Sequence, residues 1–226
     1  MPCFDAMMEN KRLIVTIIIG NYDVPCDNFE HVDGYDYILL TDRPIKTKSW
    51  KNVIADFKTG GYLSNTKKQR YLKTHLFEKF KDYDLVAYVD GNIKINDDLY
   101  EYIEENKDYS ITFKKHPIRD CIYDEIRTCF SISKETKEIC QIAYFRYSKE
   151  GYPKKNGLFE TNIILFKPKA DRIDILFNDW WKEIFRFSKR DQFSLNYVIW
   201  KNKLDDIVNV AKSDKFKSVS HKKIKN

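Results

Sequence analysis

The sequence predicts an α/β protein: a mainly parallel central sheet flanked by helices, in one domain over residues 1–226. Two observations carry that expectation. Several apolar, β-branched runs stop abruptly on glycine or polar residues, as strands buried on both faces do. Between them lie segments whose apolar residues recur in steps of three and four, the period of a helix packed on one side. No internal repeat and no Pro/Gly/Ser-rich linker breaks the alternation.

In order, "RLIVTIIIGNYD" (Arg12–Asp23) is continuous and β-branched and reads as a buried strand ending at Gly20. "DYILLTD" (Asp36–Asp42) is a second short strand, and "KNVIADF" a third. "NTKKQRYLKTHLFEKF" (Asn65–Phe80) reads as one helix capped near Asn65 or Thr66. "LVAYV" (Leu85–Val89) is a strand that stops at Asp90-Gly91-Asn92. "NDDLYEYIEEN" follows as a helix, with Asn96 or Asp97 as cap and acids in its first turn. "YSITFKKH" (Tyr109–His116) is a strand, and "DCIYDEIRTCF" and "KETKEICQIAYFRYSKE" are helical by period. "GLFETNIILFKP" (Gly157–Pro168) is a strand closed by proline. "ADRIDILFNDWWKEIFRF" repeats apolar residues from Ile173 to Phe185 at helical steps. "RDQFSLNYVIWKN" is a further helix after a break at Ser188, and a basic tail runs from about Lys212.

Composition removes several classes. With 42% hydrophobic and 33% charged residues the chain is not a disordered one. Seven glycines and six prolines exclude a collagenous or low-complexity chain. Five cysteines, odd in number and without a CxxC pair, argue against a zinc ribbon or a disulfide framework and suit reduced thiols in a cytosol-like compartment. The start "MPCFDAMMENKR" lacks the pattern of a signal peptide, and "LIVTIII" at seven residues is far short of a membrane span, so a cytoplasmic protein is expected. The net charge of +6 suits anionic partners, or simply a solubilising surface. The lysines are scattered rather than striped, so no nucleic acid is expected, and any membrane contact would be peripheral, through the tail.

Three strand ends carry candidate chemistry. Ligands of open α/β sheets bind outside the carboxyl ends of the strands. Gly20 would let a ligand approach the backbone, Tyr22 could stack on a base, and Asp23 could accept a ribose or base hydrogen bond. Asp42 ends the second strand. Each set also fits plain turn chemistry. Asp90 and Asn92 supply the oxygens that a hard divalent cation prefers, although Asp-Gly is also a common turn dipeptide.

Elsewhere, Lys73 falls inside the apolar stripe of its helix and Arg70 at its edge, so either they snorkel or they reach a buried anion such as a diphosphate. His116, Arg119, Asp120, Asp124 and Glu125 gather after a strand, where His116-Pro117 forces an extended exit; a loop here would hang over the same edge as Asp90, with His116 and Arg119 as candidate substrate-binding residues. Asp124 and Glu125 fit ordinary helix-surface acids. Glu160 and Asn162 occupy alternate positions of one strand. Asp191, beside Gln192, is a candidate general base or hydroxyl anchor, and equally an ordinary acid at a helix start capped by Ser188. His221 in the tail is a candidate metal ligand.

Taken together and in order, "GNYD", "DYILLTD", "KQRYLKTHLF", "YVDGNIKI", "KHPIRDCIYDE", "GLFETNIILF" and "RDQFSLNYVIW" resemble a glycosyltransferase-like domain. That domain occurs in plant mucilage-related proteins and bacterial polysaccharide clusters. The resemblance implies a GT-A-like nucleotide-binding fold, a nucleotide-sugar donor (UDP-linked above all), a glycan acceptor and Mn²⁺ or Mg²⁺. It implies that Asp90-Gly91-Asn92 stands where the family carries an acidic DxD metal motif, with Asn92 replacing the second acid, and that His221 completes the metal shell. It implies a nucleotide pocket at Gly20, Tyr22 and Asp23, and phosphate or donor contacts from Arg70 and Lys73. Glu160 would face donor or acceptor, and Asp191 with Gln192 the reacting sugar: as base if the anomeric carbon inverts, as a positioning or charge-stabilising group if it is retained.

The resulting expectation is a metal-assisted glycosyltransferase of polysaccharide biosynthesis. Its rivals are a non-catalytic glycan- or nucleotide-binding module of the same fold and a sugar nucleotidyltransferase. The latter would want a Gly-rich basic loop after the first strand, which "GNYDVPCDN" is not.

Overall fold

The computed structural model describes residues 10–57, 62–211 and 219. Among the described residues seven strands form one sheet: β1 (Arg12–Ile18), β2 (Tyr35–Thr41), β3 (Lys51–Ile54), β4 (Leu85–Val89), β5 (Ile111–Lys115), β6 (Phe159–Phe166) and β7 (Val208–Ala211). Their spatial order is β3-β2-β1-β4-β6-β5-β7. The pairings β1·β2, β1·β4, β2·β3 and β5·β7 are parallel. β6 runs antiparallel to both neighbours, β4 and β5.

The apolar runs are long because both faces of the sheet are covered. Along β1, Leu13, Val15 and Ile17 enter one core cluster and Ile14 and Ile18 the other. Along β4, Val86 and Tyr88 go to the first cluster while Leu85, Ala87 and Val89 go to the second. The period of two is intact, but both phases are apolar.

The helices are α1 (Asn65–Thr74), α2 (Leu76–Lys79), α3 (Asp97–Asn106), α4 (Ile122–Ser131), α5 (Lys137–Lys149), α6 (Ile173–Arg186) and α7 (Leu195–Lys201). The single helix expected over Asn65–Phe80 is two. The chain turns at His75, whose N–H bonds both Tyr71 and Leu72 carbonyls, and the cap is Ser64, accepting from Lys67 N–H. Residues Asp191–Phe193 form a separate 3-10 turn before α7. β7 was not expected: its four residues, Val-Asn-Val-Ala, are too short a run to stand out as a strand. The tail that carries His221 lies outside the described residues, Val219 excepted. Among the described residues no helix is long and apolar enough to cross a membrane.

Candidate active site

At the carboxyl ends of β1 and β4 a cleft of about 780 Å³ opens. One wall is the turn after β1. Gly20 and Asn21 both take left-handed φ, +68° and +58°. Gly20 N–H points at both oxygens of Asp42, 3.2 Å away. Tyr22 is 62% exposed, whereas Asp23 is buried and its Oδ1 accepts Val24 N–H. Gly20, Tyr22 and Asp23 line the cleft; Asp42 does not, and instead braces the turn.

The floor is Asp90-Gly91-Asn92. Ile93 N–H closes a turn on the Asp90 carbonyl at 2.9 Å. The glycine has a packing reason: a Cβ at position 91 would stand 3.1 Å from Ile18 Cδ1. Gly91 carbonyl also accepts Cys26 N–H at 2.7 Å, so the loop after β1 crosses the motif. Asn92 Nδ2 donates to Val219 carbonyl, and Val219 N–H to Asn92 carbonyl, both at 3.0 Å. Asp90 N–H bonds Asn162 carbonyl at 2.8 Å, which brings β6 alongside. The Asn162 Oδ1 is buried there without a hydrogen-bond partner.

The back of the cleft is an ionic cluster. Asp191 is 1% exposed. Its Oδ2 accepts Lys73 Nζ at 2.9 Å and Thr161 hydroxyl at 2.9 Å, and Arg70 Nε stands 3.1 Å away. Trp180 Nε1 donates to the Asp191 carbonyl. Burial pushes the Asp191 carboxyl up, but Arg70 and Lys73 outweigh it and hold the group well below the usual carboxylate range. A carboxylate so held is a poor proton acceptor and a firmly fixed negative charge.

Glu160 and Gln192 also line the cleft. Glu160 Oε2 sits 3.2 Å from Lys114 Nζ, and Gln192 spans Phe159 carbonyl and Arg190. The cleft therefore gathers Gly20, Tyr22, Asp23, Arg70, Asp90, Asn92, Glu160, Asn162, Asp191 and Gln192.

Other expectations are corrected. Lys73 neither snorkels nor faces the cleft. It is 1% exposed, the anion it reaches is Asp191, and it donates to the Thr161 carbonyl as well, so its ammonium is turned into the interior and away from a ligand in the cleft. His116 and Arg119 do not line the cleft. His116 Nδ1 accepts the N–H groups of Ile118 and Arg119, shaping the exit from β5, and Arg119 Nε donates to Glu125 at 2.7 Å. Burial, then Arg119, push the His116 imidazole below its usual range. Glu125 is no surface acid; it is buried and accepts the Cys129 thiol as well.

Sequence reasoning missed Gln69, Thr161 and Tyr88. Gln69 and Thr161 adjoin Arg70 and Asn162, and adjacency was their only signal. Tyr88 was read as part of an apolar run. Its hydroxyl bonds Asp90, and burial, then Asp90, push it well above the usual phenol range.

The donor set fits a hard cation. It offers one carboxylate, Asp90, and the amide oxygens of Asn92 and Asn162, of which Asn162 Oδ1 is already orphaned. Among the described residues no group of three or more His, Cys, Asp or Glu is poised to hold a metal.

Sheet order and cleft position define the class as a GT-A-type α/β domain. Residues 48–225, more than half of the chain, match the model of the TOD1/MUCI70 glycosyltransferase-like domain, and the chain belongs to that family. Gly20, Tyr22, Asp23 and Asp42 precede the matched span. Among solved structures the chain is similar to the apo bifunctional glycosyltransferase WbbM at 12% identity and TM-score 0.54, covering 92% of this chain and 40% of that one. That likeness is one of fold, and the chain spans about two fifths of that enzyme's length. Mouse xyloside xylosyltransferase 1, apo, is similar at 11% identity and TM-score 0.49, covering 89% of this chain and 85% of that one. Core-mannan synthase A of Aspergillus fumigatus, in an Mn/GDP form, follows at 10% and 0.49, covering 92% and 74%. No curated protein sequence matches.

Proposed function

We propose that this protein is a glycosyltransferase that moves a sugar from a nucleoside diphosphate sugar, with UDP as carrier, to a glycan hydroxyl. The observation that supports it is the meeting of Asp90-Gly91-Asn92 with the Arg70–Asp191 cluster in one cleft. The half-exposed Tyr22 offers a ring face to a base, and Gly20 admits close backbone approach. Arg70 lines the cleft beside Lys134, Lys189 and Arg190 and offers a departing diphosphate a guanidinium fork. Asp90, Asn92 and Asn162 would hold Mn²⁺ or Mg²⁺, which when bound supplies positive charge against the diphosphate.

Asp191 then acts as a fixed charge rather than a base. Its ionised carboxylate, held by Lys73, Arg70 and Thr161, acts as a positioning group that fixes the Arg70 guanidinium and the sugar-facing wall of the cleft. Glu160 and Gln192 orient donor and acceptor hydroxyls at the same wall.

The test is calorimetric binding of UDP, GDP and their sugars, with and without Mn²⁺, to wild type and Asp90→Ala. The expected result is micromolar, Mn²⁺-dependent UDP binding that Asp90→Ala loses. No nucleotide binding under any condition overturns the proposal and leaves the glycan-binding module.

A further inference from the structure

A chain of side chains joins the two acidic halves of the cleft. From Asp191 Oδ2, Arg70 Nε is 3.1 Å away. Arg70 Nη1 donates to Gln69 Oε1. Gln69 Nε2 donates to the Tyr88 hydroxyl at 2.8 Å, and that hydroxyl donates to Asp90 Oδ1. Arg70 and Gln69 are neighbours on α1, and Tyr88 is two residues from Asp90 at the end of β4.

The direction of each bond follows from chemistry. A guanidinium has donors and no acceptor, so Gln69 must turn its carbonyl to Arg70 and its NH₂ to Tyr88. Tyr88 then accepts from Gln69, and its single proton has one place left to go, Asp90 Oδ1. Tyr88 is fully buried, with Lys73 Nζ 4.6 Å over its ring, so it has no solvent alternative. Asp90 is thus held through one oxygen, and Oδ2 is the oxygen left for a ligand.

The geometry points to Tyr88 and Gln69 as positioning residues that orient the Asp90 carboxylate for a divalent cation, with Arg70 setting the polarity of the relay. This rests on the cation-assisted reading above. Partners that hydrogen-bond a ligating carboxylate are worth on the order of 10–100-fold in metal affinity. A purely structural Tyr88 would affect folding and leave cation affinity alone.

The test is electron paramagnetic resonance of free Mn²⁺, titrated into the full chain with UDP present, for wild type, Tyr88→Phe and Gln69→Glu. Thermal unfolding of each variant reports its fold. Tyr88→Phe is expected to weaken Mn²⁺ binding at least tenfold. Gln69→Glu is the sharper variant. It still accepts from Arg70 but donates nothing, so it draws the Tyr88 proton away from Asp90. Its added negative charge alone would tighten cation binding, so weaker binding is the signature of the relay. If Tyr88→Phe does not fold, Gln69→Glu carries the test alone. A folded Tyr88→Phe that binds Mn²⁺ as tightly as wild type, or a folded Gln69→Glu that binds it as tightly or more tightly, overturns the relay while leaving the cation-assisted reading intact. A wild type that binds no Mn²⁺ with UDP overturns that reading, and the relay's purpose with it.

Discussion

Lys73 Nζ lies 2.9 Å from Asp191 Oδ2, and both side chains are sealed from solvent, 118 residues apart in sequence. Burial pushes the lysine below its usual pKa, and Asp191 opposes that shift. The pair ties α1 to the turn that carries Asp191, behind a cleft wall that both elements build.

Breaking that pair is expected to be costly, because it leaves a charge in the interior. Lys73→Met should lower stability by about 3 kcal/mol, the low end for a buried pair, since Arg70 and Thr161 still face the carboxylate. Urea unfolding with an unchanged slope measures it. A loss under about 1 kcal/mol would assign the compensation to Arg70 instead.

The same carboxylate sets an acid limit. Its folded pKa is depressed, so the unfolded state takes up the proton first. The stability it contributes is fully present above the unfolded aspartate value of about 3.9 and drains away as pH falls below it. Unfolding free energy followed from pH 6 downward should drop more steeply below about pH 4 in wild type than in Asp191→Asn. Parallel curves would contradict an ionised, paired Asp191.

Gly20→Ala should damage both fold and site. The backbone is left-handed, and an added Cβ would stand 1.9 Å from Asn65 Nδ2, so the Asn65 side chain at the start of α1 must move out of the way. A loss of about 1–3 kcal/mol follows, with UDP affinity reduced more than tenfold under the proposed function. Chemical denaturation and calorimetry read the two effects separately. A stable variant with normal UDP affinity would remove Gly20 from the site.

Asn92→Asp would restore the second acid of the motif. Under the proposed function it should tighten Mn²⁺ binding severalfold, because a carboxylate replaces an amide oxygen. It should also loosen Val219, whose carbonyl now accepts the Asn92 amide and would then face a carboxylate. Calorimetry gives the first effect and hydrogen exchange at the Val219 N–H the second. Faster exchange together with tighter metal would show that Asn92 exchanges ligand charge for an anchor on Val219.

Most strands and helices were legible because their signals are local. A strand covered on both faces writes a continuous apolar run, and a helix packed on one face writes steps of three and four. The turn residues Gly20 and Asp90-Gly91-Asn92 also stand out locally, since they interrupt such runs. The break at His75 left no glycine or proline to mark it, and the four residues of β7 are too few for their alternation to be read.

Strand direction was not legible, and it decides the site. A strand apolar on both faces reads the same whether parallel or antiparallel, so the placement of β6 between β4 and β5 is a tertiary outcome. That placement sets Asn162 against Asp90 and Thr161 against Asp191. It also sorts the charges that looked alike in sequence: Lys73 is consumed by Asp191, Arg119 by Glu125, and Arg70 remains at the cleft.

The sequence by itself determined the α/β class and the strand ends that edge the cleft, because periodicity and strand-end chemistry act over a few residues. Only the tertiary structure decided which cations line the cleft and how Asp90 is held, because a buried charge takes its pKa and its purpose from whatever distant partner packing brings alongside it.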